Sequence, residues 1–258
     1  MLKLFNRSPG ATLPEGRRAY AIGDIHGRLD LLEDLIAAIE RDIADRPEAE
    51  TFVVFLGDLI DRGPQSREVV ERLRTLRSDR FQPVFLIGNH EEVLLRLLGG
   101  ELGLLDSWLR FGGAECAKSY GLNSRQLAQL DEATAIERLK AAIPAEHVDF
   151  LSSFHDTFRF GDYLFVHAGI RPGIDLTDQS QVDLRWIRAA FLDSKADHGF
   201  IVVHGHTISE AVDEQYNRIG IDTGAYRSGI LTAIGLDGEE RWYITSAAAL
   251  PRKSPLVD

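Results

Sequence analysis

Short apolar runs alternate with helical periodicities through the first third of the chain. Ala19 to Ile22, Thr51 to Leu56 and Pro83 to Ile87 read as strands. Between them, Leu29 to Ala44 and Ser66 to Arg77 repeat apolar positions at helical spacing. That succession predicts a βαβαβ unit and an α/β fold class with a parallel sheet. From Glu91 to about Ser153 the pattern turns helical, with Pro144 at a helix start and a break at Gly112 and Gly113. This stretch, 91–153, is expected to be a helical insertion or cap. Later runs at Tyr163 to Val166, Phe200 to Val203, Arg218 to Ile221, Ile230 to Ile234 and Arg241 to Ile244 are spaced as strands and predict a second sheet. The expected organisation is one domain over 17–245, with an N-terminal extension (1–16) and a C-terminal tail (246–258) as the candidates for disorder.

The chemistry gathers where apolar runs end. AYAIG leads into Asp24 and His26, TFVVFLG into Asp58, PVFLIG into Asn89 and His90, YLFV into His167, and FIVVHG into His206. In open α/β sheets functional groups collect beyond the carboxyl ends of strands, so these endings would bring distant donors together. Asp24 and His26, two apart at a strand end, would share a face and can chelate one ion. Carboxylate, amide oxygen and imidazole together suit manganese, iron or zinc better than magnesium or calcium alone.

Charge and composition narrow the setting. A formal net charge of −11 argues against a broad nucleic-acid surface, which needs a basic stripe. Clustered aspartates are themselves unfavourable without a cation. The apolar runs are too short to cross a bilayer, the N-terminus lacks the regions of a signal peptide, and the single cysteine, Cys116, fits a reducing compartment. A cytoplasmic protein without a membrane partner is expected; the oligomeric state is not readable.

GDIHG (23–27), GDLIDRG (57–63), GNHE (88–91), HAG (167–169) and GHT (205–207) occur in this order. Together they resemble the PPP-type, calcineurin-like metallophosphoesterases, in particular the bacterial and phage serine/threonine protein phosphatases that include the lambda phosphatase and the PrpA type. IDTGAYRSGILT (221–232) resembles the closing segment of that branch. The resemblance implies a β-sandwich of two mixed sheets flanked by helices and a pair of divalent metal ions, manganese first and iron or zinc as alternatives. It implies Asp24 and His26 on one ion, Asp58 bridging, and Asn89, His167 and His206 on the other. It further implies Arg62, Arg188 and Asn89 on the phosphate, and His90 as general acid oriented by Asp61. Attack would be in line by a metal-bridging hydroxide, without a phosphoenzyme.

The expected activity is hydrolysis of a phosphoprotein, with a small phosphorylated molecule as the alternative substrate. A symmetrical dinucleoside tetraphosphatase shares the same motifs, and Asp61 before Arg62 leans towards the protein phosphatases. A non-catalytic metal-binding scaffold is the third reading, disfavoured by the presence of Asp61, Arg62, His90 and Arg188. His204 competes with His206 on the same side of an extended chain, and Ile208 stands where broader relatives place a second histidine. His147, His155 and His198 are expected to be ordinary surface residues, Trp186 packing behind a helix-borne Arg188, and Cys116 structural. Arg110 to Gly113 reads as a helix stop or a piece of substrate rim.

Overall fold

A computed structural model of the chain describes residues 10–246. Among the described residues, ten strands form two five-stranded sheets. In chain order they are β1 (Arg17–Ile22), β2 (Glu50–Phe55), β3 (Gln82–Phe85), β4 (Thr157–Phe160), β5 (Tyr163–Val166), β6 (Ile201–His204), β7 (Asp213–Glu214), β8 (Arg218–Gly220), β9 (Thr232–Asp237) and β10 (Glu240–Thr245). The first sheet runs β10-β9-β1-β2-β3 and the second β4-β5-β6-β8-β7. β1, β2 and β3 are parallel, as are β5, β6 and β8, while β9, β10, β4 and β7 pair antiparallel. Both sheets are therefore mixed, as the resemblance implied.

Strand alternation distributes each strand between two cores. Ala19 and Ala21 of β1 face a core between the sheets, against Phe165, Val203 and Ile219. Tyr20 and Ile22 face the other way, onto α1 (Leu29–Asp45) and α2 (Ser66–Arg74). On the second sheet, Leu164, Val166 and Val202 pack outward against Leu184, Ile187 and Phe191. The assembly is a sandwich with helices on its outer faces.

Between β3 and β4 the assigned elements are helices, beginning with α3 (Asn89–Leu98) and ending with the helix Ala145–Ser152. Two strands escaped the sequence pattern, β4 and the two-residue β7. β4 follows the helical stretch after a short turn and is an edge strand.

The chain ends differ from expectation where they are described. Leu13 is buried, its amide donates to Gly238 O at 3.0 Å, and the Thr12 amide reaches Asp162 Oδ2 at 3.0 Å. Residues 11–16 are thus tied to the sandwich instead of forming a loose extension. Ser246, at the start of the expected tail, is buried and exchanges hydrogen bonds with Leu231. The rest of that tail, 247–258, and residues 1–9 of the extension lie outside the described residues. Among the described residues no helix is long and apolar enough to cross a membrane.

Candidate metal centre

The carboxyl ends of β1, β2, β5 and β6 and the N-terminus of α3 meet at one edge of the sandwich. The His26 amide donates to Asp58 O at 2.9 Å, and the Gly205 amide to His167 O at 2.8 Å. Gly57 and Gly88 permit a close backbone approach: a Cβ on Gly57 would stand 2.5 Å from the Gly88 nitrogen. Glu91 secures the second motif from below. Its carboxylate accepts the amides of Asp58 and Leu59 at 2.8 Å each and of Gly88 at 3.0 Å.

Backbone strain concentrates at the same place. His26, Asp58, Asp61, Arg62 and His206 are the non-glycine residues with positive φ among the described residues, at 46° to 69°. Left-handed backbone at such residues costs about 1–3 kcal/mol each and persists only where the surroundings impose it.

Asp58 stands at the middle of the cluster. Ligand atoms of His26, Asp58 and His90 lie within 4.8 Å of one another, and so do those of Asp58, His167 and His206. The Asp24 carboxylate accepts the His206 amide with both oxygens at 3.1 Å, and its Oδ2 lies 4.0 Å from His26 Nε2. Asn89 Oδ1 is 3.0 Å from His167 Nε2. The six residues expected to hold metal are thus brought into one buried pocket. On distance alone His90 falls in the first triad, and Asp24 lies just outside both. His204 is also buried, but its Nδ1 lies against Gly205 O and its ring packs edge-on to Phe191, away from both triads.

The donors fit a cation. His26 Nδ1 donates to Ile60 O at 2.7 Å and His167 Nδ1 to Leu56 O at 2.8 Å, which leaves each Nε2 with a lone pair. Those lone pairs face oxygens: His26 Nε2 is 3.6 Å from Asp58 Oδ2, and His167 Nε2 is 3.5 Å from Asp58 Oδ1. Nε2 of both His26 and His206 is buried without a hydrogen-bond partner. Lone pairs turned on one another are repulsive, and a positive ion between them removes the conflict. Burial draws the pKa of His26, His167 and His206 below that of a free imidazole, towards the neutral form that ligates. Burial alone would raise Asp58, yet the surrounding imidazoles outweigh it and hold its carboxyl well below the usual range. Asp24 is pushed up by burial and by the neighbouring charges of Asp222 and Asp58.

His90 Nδ1 lies 2.6 Å from Asp61 Oδ2, and Trp108 Nε1 donates to the same oxygen at 3.1 Å. Burial lowers His90, but the carboxylates of Asp58 and Asp61 prevail and push it up to about 9. A cation on Asp58 would cancel that carboxylate's pull and leave Asp61 as the main support of the imidazolium. Arg62 Nη2 is 3.1 Å from His90 Nε2, and the Arg62 guanidinium lies 5.0 Å from the centre of the Tyr226 ring. Arg62, Asn89, His90 and Arg188 line a cavity of about 300 Å³, joined by the rings of Trp108, Phe111 and Trp186.

Several residues take positions that the sequence did not announce. Glu91, given no chemical step, organises the Asp58 loop. Trp108, Tyr226 and Asp222 were not singled out at all. Asp222 is buried beside Asp24 with Oδ2 unpartnered, and burial followed by the charge of Asp58 raises it to about 6. His147 is not on the surface: it is buried, with Nδ1 2.8 Å from the Tyr120 hydroxyl and Nε2 3.0 Å from Glu71. Arg188 is not carried within a helix but sits between the helices Gln181–Trp186 and Ala189–Leu192. Its neighbour Arg185 is engaged with Glu92 and Asp156. Trp186 is not interior packing; it is 38% exposed and borders the cavity.

A buried cluster of Asp, Asn and His at the strand ends of a two-sheet sandwich, beside two arginines, defines a metallophosphoesterase. The sequence profile of the calcineurin-like phosphoesterases matches residues 17–229, and the chain belongs to that family. A bis(5'-nucleosyl)-tetraphosphatase PrpE [asymmetrical] from Halalkalibacterium halodurans is 26% identical over 255 residues, spanning 92% of this chain and 94% of its own. A symmetrical bis(5'-nucleosyl)-tetraphosphatase from Coxiella burnetii is 35% identical over 106 residues, 41% of this chain and 33% of its own. A crystal structure provisionally assigned as a diadenosine tetraphosphatase superposes with a TM-score of 0.62 at 22% identity, covering 92% of this chain and 99% of that one. The last shows likeness of fold.

Proposed function

We propose that this enzyme hydrolyses dinucleoside polyphosphates, dinucleoside tetraphosphates foremost, with two divalent cations at the Asp58 cluster. The observation that carries the reading is the likeness to the PrpE tetraphosphatase, which runs through nearly the whole of both chains. The aromatic cavity beside Arg62 and Arg188 agrees with a substrate that joins a flat ring system to a phosphate chain. This reverses the order expected from sequence, in which a phosphoprotein substrate came first. Asp61 within GDLIDRG and the closing segment IDTGAYRSGILT still lean towards a serine/threonine protein phosphatase of the PrpA or lambda type, but Asp61 serves leaving-group protonation in either reading.

In this proposal Asp24 and His26 hold one ion, Asn89, His167 and His206 the other, and Asp58 both. Manganese suits the mixed donors, with iron or zinc as alternatives. Bound divalent ions supply Lewis-acid stabilisation of charge on the phosphoryl oxygens and acidify water. Arg62 and Arg188 grip the phosphates, each guanidinium presenting a fork of donors to a pair of oxygens. Asn89 adds its amide to the phosphate. His90 donates the proton from Nε2 to the departing oxygen, and Asp61 holds Nδ1 and balances the imidazolium. A proton on Nε2 and the Arg62 contact exclude one another. Drawing Arg62 onto a phosphate therefore frees Nε2 to carry its proton.

The test is a parallel measurement of kcat/KM on diadenosine tetraphosphate and on a phosphoserine peptide, with manganese-loaded enzyme. Preference for the dinucleotide by at least about a hundredfold is expected. Preference for the peptide overturns the proposal. Product analysis completes the assay: ADP alone marks symmetrical cleavage, and AMP with ATP marks asymmetrical cleavage.

A further inference from the structure

Resting on that reading, we infer that Phe111 and Trp186 form a nucleobase platform, so that the enzyme recognises the base of its substrate as well as the phosphates. Phe111 is 67% exposed and Trp186 38% exposed, yet both line the one cavity that also contains Arg62, His90 and Arg188. Scattered exposed aromatics on a soluble protein need no explanation. Two that come from distant segments and converge on the phosphate-gripping residues do.

Each ring is held in place by the backbone or by a fixed partner. Phe111 stands at a kink within Leu109–Gly113, where Phe111 (φ −94°, ψ 16°) and Gly112 (φ 118°) both leave helical geometry. The Gly112 carbonyl accepts the Arg62 amide at 3.0 Å, and a Cβ on Gly112 would stand 2.6 Å from the Arg62 nitrogen. Only glycine tolerates that approach, so the turn that presents Phe111 is locked to the backbone of a phosphate-binding arginine. Trp186 is fixed at the other end: its indole N–H donates to Glu92 Oε2 at 3.2 Å, and Arg188 follows two residues later. Ring and guanidinium are thus delivered as a pair by both segments, Phe111 with Arg62 and Trp186 with Arg188. That pairing matches a nucleotide, whose π-face and phosphate are held within a short distance of each other by the sugar that links them. The cavity volume of about 300 Å³ is at the small end for organic ligands and suits one mononucleotide unit better than a folded peptide segment.

Base-on-aromatic stacking sets the size of the effect at about tenfold per ring removed. The experiment measures inhibition constants of AMP and ribose 5-phosphate on the metal-loaded enzyme, for the wild type, Phe111→Ala, Trp186→Ala, Phe111→Tyr and Trp186→Phe. Both ligands present the same phosphate, and one lacks the base. Alanine at either position is expected to weaken AMP about tenfold and leave ribose 5-phosphate unchanged, with the aromatic replacements restoring AMP binding. Equal weakening of both ligands would mean that the rings only shape the cavity, and equal affinity of the wild type for both would mean that no base is read; either result overturns the inference. Failure of the functional reading looks different. An enzyme that prefers the phosphopeptide but binds AMP through Phe111 loses its proposed substrate and keeps the platform.

Discussion

Trp108 donates its indole N–H to Oδ2 of Asp61, the same oxygen that faces His90 Nδ1. The indole comes from the helical segment after α3, so that segment reaches beneath the pair proposed to donate the proton. Trp108→Phe keeps the bulk and removes the donor. About 1.5 kcal/mol for a hydrogen bond to a carboxylate predicts a fall in kcat of roughly tenfold. A series of phenyl phosphates would show the fall growing as the leaving group becomes more basic. A uniform fall across the series would make Trp108 a packing residue only.

His90→Asn removes the proposed acid without touching the assigned ligands. Turnover of an ester with a basic leaving group is expected to fall by about two to four orders of magnitude. Elemental analysis should still find the wild-type metal content. Unchanged turnover excludes His90 from proton transfer, and loss of metal instead makes it a ligand, as its 3.8 Å separation from Asp58 Oδ2 allows.

Asp58 neighbours four imidazoles. Asp58→Asn removes the negative charge, leaves one neutral amide oxygen where two carboxylate oxygens stood, and is expected to weaken both ions together, to fewer than one per chain after dialysis. A variant that keeps one ion tightly and loses the other would show that Asp58 belongs to a single site.

Glu91 gathers amides from both sides of the Gly57–Gly88 contact. Glu91→Gln leaves one carbonyl oxygen for that task and turns an NH₂ group towards N–H donors. A loss of about 2–4 kcal/mol is expected, lowering the thermal midpoint of the metal-free protein by roughly 5–15 °C. Calorimetry of the two metal-free proteins checks this, and an unchanged midpoint would show that the carboxylate is dispensable to the fold.

The clustering at the candidate centre was legible because each proposed donor follows an apolar run, so local pattern and residue type coincide in one stretch of sequence. Asp24, Asp58, His167 and His206 could be read in that way. The supporting residues could not. Trp108 meets Asp61 across 47 positions and His147 meets Glu71 across 76, and neither partner leaves a trace in the other's neighbourhood. Glu91 sits inside a motif, but its residue type does not say that it turns inward to amides. The strands show the same limit. β5 was legible from YLFV, whereas β4 and the two-residue β7 are too short or too mixed in character to stand out and exist because a neighbouring strand offers hydrogen bonds.

The left-handed backbone at His26, Asp58, Asp61, Arg62 and His206 gives the molecule a stake in its own supply of ions. Backbone bent this way costs about 1–3 kcal/mol per residue, and a cation that binds only the folded loops would offset that cost by mass action. Chelation should then act as a mild denaturant, and growth of the folded population with added manganese should track the gain of activity. On the proposed metal dependence, a shortage of divalent cations is expected to lower the folded amount of this protein as well as its rate, which a comparison of its half-life in chelator-treated and metal-replete lysates would check.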